Sequence, residues 1–545
     1  MTGLLWLALG GATVSPLRGQ DRPAADRPAR ALSPTAEQIR AQLAKENSSV
    51  TKWYARHGHE PVWDAAHLRG LATFLQGLDR HGLQPGLFGL DRWIAAWNAP
   101  PASSAEAART DIATTHLALY AIQALAYGFV DPGTVHPKWE PIARSVSPQD
   151  LLGEALRQGP GNFAAWLEKA AAPPDPRYWE MVETLERYRR IAQLGGWKAL
   201  PSPPSPVGLN GPYRDIPLLR ARLQAEGDLP ADGARLRTKT IDASTWEGLK
   251  SFQFRHGIEP DGVMGPQTLA EMNKPAEDRV NTLIVNLDRL RWMPRAYEQA
   301  EHVEVNIGES ALRLFRGGRP VKTIRVIVGQ KGKHQTPVFH GKIQYLIFRP
   351  YWNVPLSIAK NEVVPEALKD PSYVSRENYE IVPGFGVAPS RALPATADNL
   401  QKVAAGQLSI RQGTGPHNAL GLVKFIFPND NSVYLHDTPD HSLFQRADRD
   451  FSHGCVRVSE PALLAEYALA ANGDWSPGQI EAAMNDASQP DRRVNLKKSI
   501  PVYLIYWTST AMNDGRIRFD QDIYGHDEVM RDRLGLGVRA VARPE

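Results

Sequence analysis

The chain has 545 residues, and its 63 Lys and Arg against 59 Asp and Glu give a formal net charge of +4. Hydrophobic residues make up 42% and charged residues 22%, which is ordinary globular usage, excludes a disordered or collagen-like chain and at this length predicts about three or four domains. So small a net charge gives no support for nucleic-acid binding, and the single cysteine excludes an internal disulfide or a zinc site built from several cysteines.

The N-terminus, residues 1–34, is predicted to be a signal segment followed by a linker. Residues 4–14 are apolar and rich in small side chains, but this run is shorter than the roughly 20 residues that span a bilayer. Such a run is typical of the core of a secretory signal, although no basic residue precedes it. Export is therefore the expectation, with a disordered tail as the alternative. The Pro- and Arg-rich stretch that follows is typical of a linker.

The first half of the chain is predicted to be mainly helical. Leu68, Leu71, Leu75 and Leu78 follow helical spacing, and a Pro-rich stretch after Trp197 marks a domain boundary. A compact unit of three short helices comes next. The predicted boundaries are a helical domain at 35–197, a linker at 198–212, a three-helix module at 213–275 and a connecting helix at 276–300.

The second half, residues 301–545, is predicted to be a β-rich domain. The apolar period changes from helical to alternating, as in Val303, Val305 and Ile307. The strand signal fades at about residues 357–412. Because a structureless loop of that length is uncommon in a compact domain, this segment is predicted to be an inserted capping subdomain. The fold class is therefore α+β and multidomain.

The strongest chemical pattern combines His436 with Cys455, the only cysteine. A lone Cys is usually an inert buried residue, but a nucleophilic thiol needs a base such as an imidazole. Gly454 leaves space beside the sulfur, where backbone N–H groups could stabilise an oxyanion. Arg457 lies two residues further on and shares a face with Cys455 in an extended segment, so it could bind a substrate carboxylate. The sequence thus predicts a cysteine nucleophile with a lowered pKa, paired with His436.

These residues resemble a known family. The run Ser452-His453-Gly454-Cys455-Val456-Arg457, with His436 upstream, resembles the signature of the L,D-transpeptidases, the YkuD-type catalytic domain. Residues 350–355, 415–421, 423–429 and 522–525 resemble other blocks of that family. Residues 249–253 and 261–269 resemble a peptidoglycan-binding module, and the N-terminal half resembles the scaffold domain of the large periplasmic subgroup.

The resemblance implies a reaction, a compartment and partners. Cys455 would attack the carbonyl between the third residue of a peptidoglycan tetrapeptide stem and its terminal D-Ala. The resulting thioester would pass to the side-chain amine of a neighbouring stem and form a 3→3 cross-link. The implied location is the periplasm, with no cofactor and no metal. The implied partners are peptidoglycan stem peptides, carbapenems that acylate Cys455, and other cell-wall synthesis proteins, and no nucleic acid.

The resemblance also assigns site residues. His436 would be the base, oriented by a backbone carbonyl, that of Asp437, and His453 would support the loop. The N–H groups of Gly454 and Cys455 would form the oxyanion hole. The residues expected to contact the substrate are Arg457, Tyr434, Ser452, Asn418 and Trp352.

Three alternative functions remain open from the sequence. The first is an L,D-carboxypeptidase or hydrolase at the same Cys455, in which water replaces the acceptor amine. The second is a non-catalytic peptidoglycan-binding scaffold, which would need neither Cys455 nor His436. The third is a metallopeptidase using His436, His441 and His453, but their spacing matches no zinc pattern.

Overall fold

The computed structural model describes residues 32–143, 145–230, 238–295, 301–385, 391–512 and 514–537. The predicted signal segment therefore lies almost wholly outside the described residues. The chain divides into two compact units, which are Met1–Val62 with Pro100–Ala113, and Trp63–Ala99 with Thr114–Glu545. No helix of the described residues is long and apolar enough to cross a membrane.

The N-terminal half is helical, as predicted. Asp64 and Ser147 each accept backbone N–H groups at the start of a helix, which is the usual role of an N-cap. The helices are α1 (Pro34–Leu43), α2 (Ser49–Arg56), α3 (Ala65–Gly77), α4 (Leu90–Asn98), α5 (Ser104–Tyr127), α6 (Pro148–Arg157), α7 (Phe163–Ala171) and α8 (Pro176–Gln193).

The three-helix module and the connecting helix follow the Pro-rich stretch. The module packs around its own apolar core, to which Leu219, Leu249, Phe252 and Met272 each contribute a fully buried side chain. Its helices are α9 (Ile216–Ala225), α10 (Ala243–Arg255) and α11 (Pro266–Met272), and the connecting helix is α12 (Ala276–Leu290).

The C-terminal half is built on one nine-stranded sheet. Its order is β10-β3-β11-β9-β8-β4-β12-β1-β2, and because β3 also pairs with β2, the sheet closes on itself. The strands are β1 (His302–Asn306), β2 (Ala311–Arg316), β3 (Arg319–Gly329), β4 (Phe339–Phe348), β8 (Val423–Ile426), β9 (Leu435–His436), β10 (Asp450–Ser452), β11 (Val456–Val458) and β12 (Arg492–Ile505).

The inserted segment folds as a small subdomain with its own core, and we call it the cap. Ten buried residues, among them Val363, Leu400 and Ile410, form this core beside a three-stranded sheet in the order β5-β7-β6. The elements of the cap are β5 (Trp352–Asn353), α13 (Leu356–Ile358), a π-helical turn (Ala359–Val363), α14 (Val364–Lys369), α15 (Ser372–Arg376), β6 (Tyr379–Val382), α16 (Ala397–Ala404) and β7 (Ser409–Gln412).

The remaining elements complete the C-terminal half. Ser476 and Gln479 form the capping box at the start of α18. A short hairpin of β13 and β14 contacts α10 of the three-helix module. These elements are α17 (Pro461–Leu469), α18 (Pro477–Asn485), β13 (Ser509–Ala511), β14 (Ile517–Phe519) and α19 (His526–Arg533).

Candidate active site

The site lies where strands β9 and β11 run side by side. The two strands are parallel, with Leu435 opposite Val456 and His436 opposite Arg457. The backbone N–H of Val456 donates to the carbonyl of Tyr434 at 3.1 Å, which places Cys455 beside Tyr434. Because side chains alternate along a strand, Tyr434, His436, Cys455 and Arg457 share one face of the sheet.

The opposite face of the same strands is the core of the domain. Phe425, Leu435 and Val456 are each 0% exposed. This burial fixes the register, since a slip by one residue would turn the reactive side chains into the core. The alternation of apolar and reactive residues is therefore what positions the site.

The turn before Cys455 is held by hydrogen bonds. The Ser452 hydroxyl donates to the carbonyl of Cys455 at 2.5 Å, and the Thr336 hydroxyl donates to the carbonyl of Gly454 at 2.8 Å. The Thr336 backbone N–H in turn donates to the Tyr524 hydroxyl at 3.1 Å. Gly454 has φ 112°, a conformation that side chains rarely adopt. The turn thus presents Cys455 in a fixed position.

One predicted oxyanion donor is already engaged. The backbone N–H of Gly454 donates to the Ser452 hydroxyl at 3.1 Å, so it does not face the cleft as the sequence-based assignment requires. The Cys455 N–H has no acceptor among the described residues. Of the two predicted donors, only the N–H of Cys455 is available to stabilise an oxyanion in this structure.

His436 is oriented by the backbone carbonyl named in the sequence-based assignment. Its Nδ1 lies 2.5 Å from the carbonyl oxygen of Asp437. A carbonyl can only accept, so Nδ1 carries the proton and Nε2 keeps its lone pair in the neutral ring. Burial, with the charges of Arg457 and Lys424, lowers the His436 pKa to about 3. At neutral pH the imidazole is therefore an uncharged base.

The side chain of Asp437 supports the loop that precedes β8. Its Oδ2 accepts the backbone N–H of Leu422 at 2.8 Å. Gly421 has φ 59°, and a Cβ there would come within 2.4 Å of the Asp437 carboxylate. Only glycine fits this contact. The structure thus gives the Asp437 carboxylate a supporting position, while its carbonyl orients His436.

Cys455 is half-buried and its thiol faces two oxygen atoms. Its Sγ lies 3.6 Å from the carbonyl oxygen of Ser432, and it also hydrogen-bonds the Tyr434 hydroxyl. Burial raises the pKa of the Cys455 thiol, and the hydrogen bonds from Tyr434 and the charge of Arg457 oppose this only in part. The sequence-based prediction of a lowered pKa is therefore wrong, because it considered the neighbouring imidazole and not the loss of water around the sulfur.

Arg457 is not a free guanidinium. Its Nη1 donates to Asp440 Oδ2 at 3.2 Å. This carboxylate is 59% exposed, so water screens the pair and a substrate could compete for the cation. Arg457 therefore keeps its place on the reactive face, but part of its charge is already neutralised.

His453 contacts the cap rather than the sulfur. Its Nε2 lies 2.8 Å from Glu362 Oε1, and Glu362 belongs to the π-helical turn of the cap. The His334 ring lies 4.7 Å from the His453 ring, measured between centroids. The residue next to Gly454 thus joins the catalytic loop to the cap.

The side chains of Asn418 and Trp352 each make contacts within their own part of the fold. Asn418 is 2% exposed, and its amide donates to the carbonyl of Gly413 at 2.8 Å, within its own loop. Its side-chain oxygen accepts the N–H of Leu420 at 2.8 Å. Trp352 packs against the core of the cap. Asn418 thus supports its own loop and Trp352 supports the cap, and their contact with the substrate stays a prediction.

Sequence reasoning missed Lys424 on β8 and Glu362 on the cap. Lys424 is the direct partner of His436 across the antiparallel pair of β8 and β9. The sequence did contain a signal for Lys424, because it is the one charged residue in the apolar run 423–427. Glu362 gave no such signal, because its role depends on how the cap meets residue 453. Within the described part of the chain, no group of three or more His, Cys, Asp or Glu could hold a metal ion.

Three family models match the chain. Residues 300–480 match the L,D-transpeptidase catalytic domain YkuD, residues 48–185 match a scaffold domain, and residues 213–272 match a "Putative peptidoglycan binding domain". The candidate site lies wholly inside the first match. The three matched segments agree in kind with the three parts seen in the fold.

A protein of Haemophilus influenzae described as "Putative L,D-transpeptidase" is 33% identical over 247 residues. The alignment covers 45% of this chain and 48% of the relative, so the chain spans about half the length of that relative. Similar solved structures include an L,D-transpeptidase from Xylanimonas cellulosilytica (residues 123–326), which is 15% identical in sequence. This match covers 56% of this chain and 100% of that chain, and its TM-score is 0.19. An L,D-transpeptidase from Stackebrandtia nassauensis has 13% identity, 56% and 96% coverage, and a TM-score of 0.21.

Proposed function

We propose that this chain is an L,D-transpeptidase, acting through its YkuD-type domain, and that it cross-links peptidoglycan stem peptides through a thioester on Cys455. The observation that carries this proposal is the shared face of the sheet, where a thiol and a neutral imidazole lie on paired strands beside Tyr434 and Arg457. Neither a binding scaffold nor a purely structural sheet needs this arrangement.

In the first step, Cys455 attacks the carbonyl between the third residue of a tetrapeptide stem and D-Ala. The thiol proton passes to Nε2 of His436 as the carbon–sulfur bond forms. The N–H of Cys455 donates to the developing oxyanion. The C–N bond then breaks, the proton leaves with the D-Ala amine, and a thioester remains on Cys455.

In the second step, the side-chain amine of a neighbouring stem attacks the thioester. His436 accepts a proton from the amine, and the carbon–sulfur bond breaks to return the thiol. The product is an amide between the third residues of two stems, a 3→3 cross-link. The cap favours this outcome, because a covered cleft admits less water to compete with the amine.

Peptidoglycan as the substrate also accounts for the other parts of the chain. The matched peptidoglycan-binding module would hold the enzyme near its polymer and raise the local substrate concentration. We place the protein in the periplasm, where this polymer lies and where the N-terminal apolar segment would send it. A carbapenem would acylate the same sulfur.

The test is to incubate the purified protein with tetrapeptide stems and to analyse the products by mass spectrometry. We expect release of D-Ala together with cross-linked dimers, and an adduct on Cys455 in the intact mass. Cys455→Ala should abolish both products, because no other cysteine can replace the nucleophile. His436→Ala should abolish them too, because it removes the proposed base. A carbapenem should add its mass to the wild type and not to Cys455→Ala.

Each rival function gives a different result in the same experiment. Loss of D-Ala without dimers at any acceptor concentration would make the protein an L,D-carboxypeptidase. A wild type that binds peptidoglycan but releases no D-Ala would make this chain a binding scaffold.

A further inference from the structure

Lys424 is a cation on the reactive face that no carboxylate neutralises. It stands opposite His436 in the register of β8 and β9, and its Nζ lies 6.0 Å from the centroid of the Tyr434 ring. Among the described residues, no Asp or Glu lies within 4.0 Å of this ammonium group. Asp491 acts on it only at longer range.

The surroundings of Lys424 make an unpaired charge costly. The Lys424 side chain is half-buried on the face that it shares with His436 and Tyr434, and burial lowers the pKa of its ammonium group. An ammonium group that has lost water and gained no counter-ion raises the free energy of the free protein. An anion that arrives in the cleft would recover that free energy, so the site is prepared for a negatively charged ligand.

Arg457, the other cation on the reactive face, already has a carboxylate partner in the protein. It lies on the far side of His436 from Lys424, and its guanidinium is already 3.2 Å from Asp440. The two cations therefore differ, since one has a protein partner and the other has none. The sequence-based assignment named Arg457 alone as the residue that binds a substrate carboxylate, whereas the structure adds Lys424 as a second candidate.

We propose that Lys424 binds a carboxylate of the donor stem peptide and so positions the stem across His436 and Cys455. This inference rests on the proposed function, because it takes the stem as the ligand. A stem peptide carries carboxylates close to the bond that is cleaved. A single ammonium group beside the base would hold one of them and fix the distance of the reacting carbonyl from the sulfur. Lys424 is thus a specificity-determining residue.

The experiment compares kinetic constants for the wild type, Lys424→Gln and Lys424→Arg on tetrapeptide stems. Lys342→Gln is the matched control, because Lys342 is an exposed lysine of the same sheet. In a second series the carboxylates of the stem are converted one at a time to carboxamides. We expect Lys424→Gln to raise KM roughly 10- to 100-fold, which corresponds to a lost charge-assisted hydrogen bond, with a smaller change in kcat. Lys424→Arg should restore most of the affinity, and Lys342→Gln should match the wild type.

The amide series identifies the carboxylate and does not depend on any variant. One carboxamide stem should raise the KM of the wild type by the same factor as Lys424→Gln raises the KM for the unmodified stem. For Lys424→Gln, the KM for that carboxamide stem should equal its KM for the unmodified stem. Equal KM of the wild type for all the stems would overturn the proposal, as would a Lys424→Gln variant with unchanged KM. A wild type that cleaves carboxylate and carboxamide stems equally leaves the proposed function intact. A wild type that releases no D-Ala from any stem overturns both proposals.

Discussion

At the scale of single residues, the free protein keeps the Cys455 thiol protonated. Burial raises the pKa of Cys455 and lowers that of His436, so both groups are neutral at pH 7. If Cys455 is the nucleophile that we propose, its proton moves to His436 only when the substrate carbonyl is in place, unlike the proton of a stable thiolate–imidazolium pair. The thiol is then less exposed to oxidation and to stray electrophiles while the cleft is empty.

The pH dependence of Cys455 alkylation tests this description. We expect the rate of iodoacetamide labelling to rise with a midpoint above the usual thiol pKa of about 8.5. Tyr434→Phe should move the midpoint higher, because the Tyr434 hydroxyl lowers the thiol pKa by a hydrogen bond. His436→Ala should leave the midpoint close to that of the wild type, although it abolishes acylation by a stem.

The labelling is specific, since the chain has one cysteine. Tyr345→Phe, at a tyrosine on β4 that stacks with Arg493, is the control and should reproduce the wild-type curve. A wild-type midpoint below 7 that rises in His436→Ala would instead show a preformed ion pair.

The sequence predicted which residues share the reactive face and the contact of His436 with the Asp437 carbonyl, but not the other hydrogen bonds of these residues. The pairing of Cys455 with His436 follows from two segments that the chain places on one face. The loss of the Gly454 N–H to Ser452, and the use of the Asn418 amide within its own loop, depend on distances that no spacing encodes. Lys424 was overlooked because only the sheet register places it beside His436.

At the scale of elements, the cap meets the loop before Cys455 through an exposed hydrogen bond between Glu362 and His453. The side chains of His453 and Glu362 are 39% and 49% exposed. Exposed polar contacts contribute about 0–1 kcal/mol, so this contact stabilises the cap against the loop only weakly. The cap keeps its own core and sheet, so it can move as a unit.

Removal of the contact should change the fate of the thioester. We expect Glu362→Ala to raise the ratio of hydrolysed to cross-linked product by up to about fivefold, because a less stable closed cap admits more water. Glu366→Ala is the matched control, since Glu366 pairs with Lys369 at 2.7 Å on the cap itself. The ratio is measured by mass spectrometry of the products. Equal ratios for the two variants would show that the contact does not govern water access.

The strands that carry the site were predictable, whereas other strands were not. Strand β8 and the segment before His436 combine β-branched and aromatic residues, which favours strands. Strand β12 runs over 14 residues, yet its first half has exposed Arg and Lys side chains and Pro501 interrupts the pattern, so only its buried end was predicted. The strands of the cap have two to four residues each, too few for a periodic signal.

At the scale of the whole molecule, the three-helix module is bound to the catalytic domain by buried charges. Asp228 of the module is 0% exposed and pairs with Arg255 at 2.6 Å and with Arg516 of the β13–β14 hairpin at 3.0 Å. Arg255 also donates to the carbonyl of Ile517 at 2.6 Å. Asp228 and Arg516, and likewise Arg255 and Ile517, are more than 250 residues apart in the chain, so no local pattern could have predicted these contacts.

This arrangement gives the module a structural role besides any binding of peptidoglycan. Removing one member of a buried ion pair leaves the other charge without water or partner, and the usual cost is about 3–5 kcal/mol. At about 2–4 °C per kcal/mol, Asp228→Ala should lower the Tm by roughly 10 °C. Differential scanning calorimetry of the full chain measures this shift.

Asp514→Ala is the matched control, because Asp514 pairs with the same Arg516 at 2.7 Å and is 47% exposed. Water screens that pair, so the control should shift the Tm by no more than about 3 °C. Below its Tm, Asp228→Ala should retain the wild-type alkylation curve of Cys455, since the two sites share no hydrogen bond among the described residues. If both variants melted together with the wild type, the module would be only loosely attached, and its retention in the chain would have to be explained by binding to the polymer.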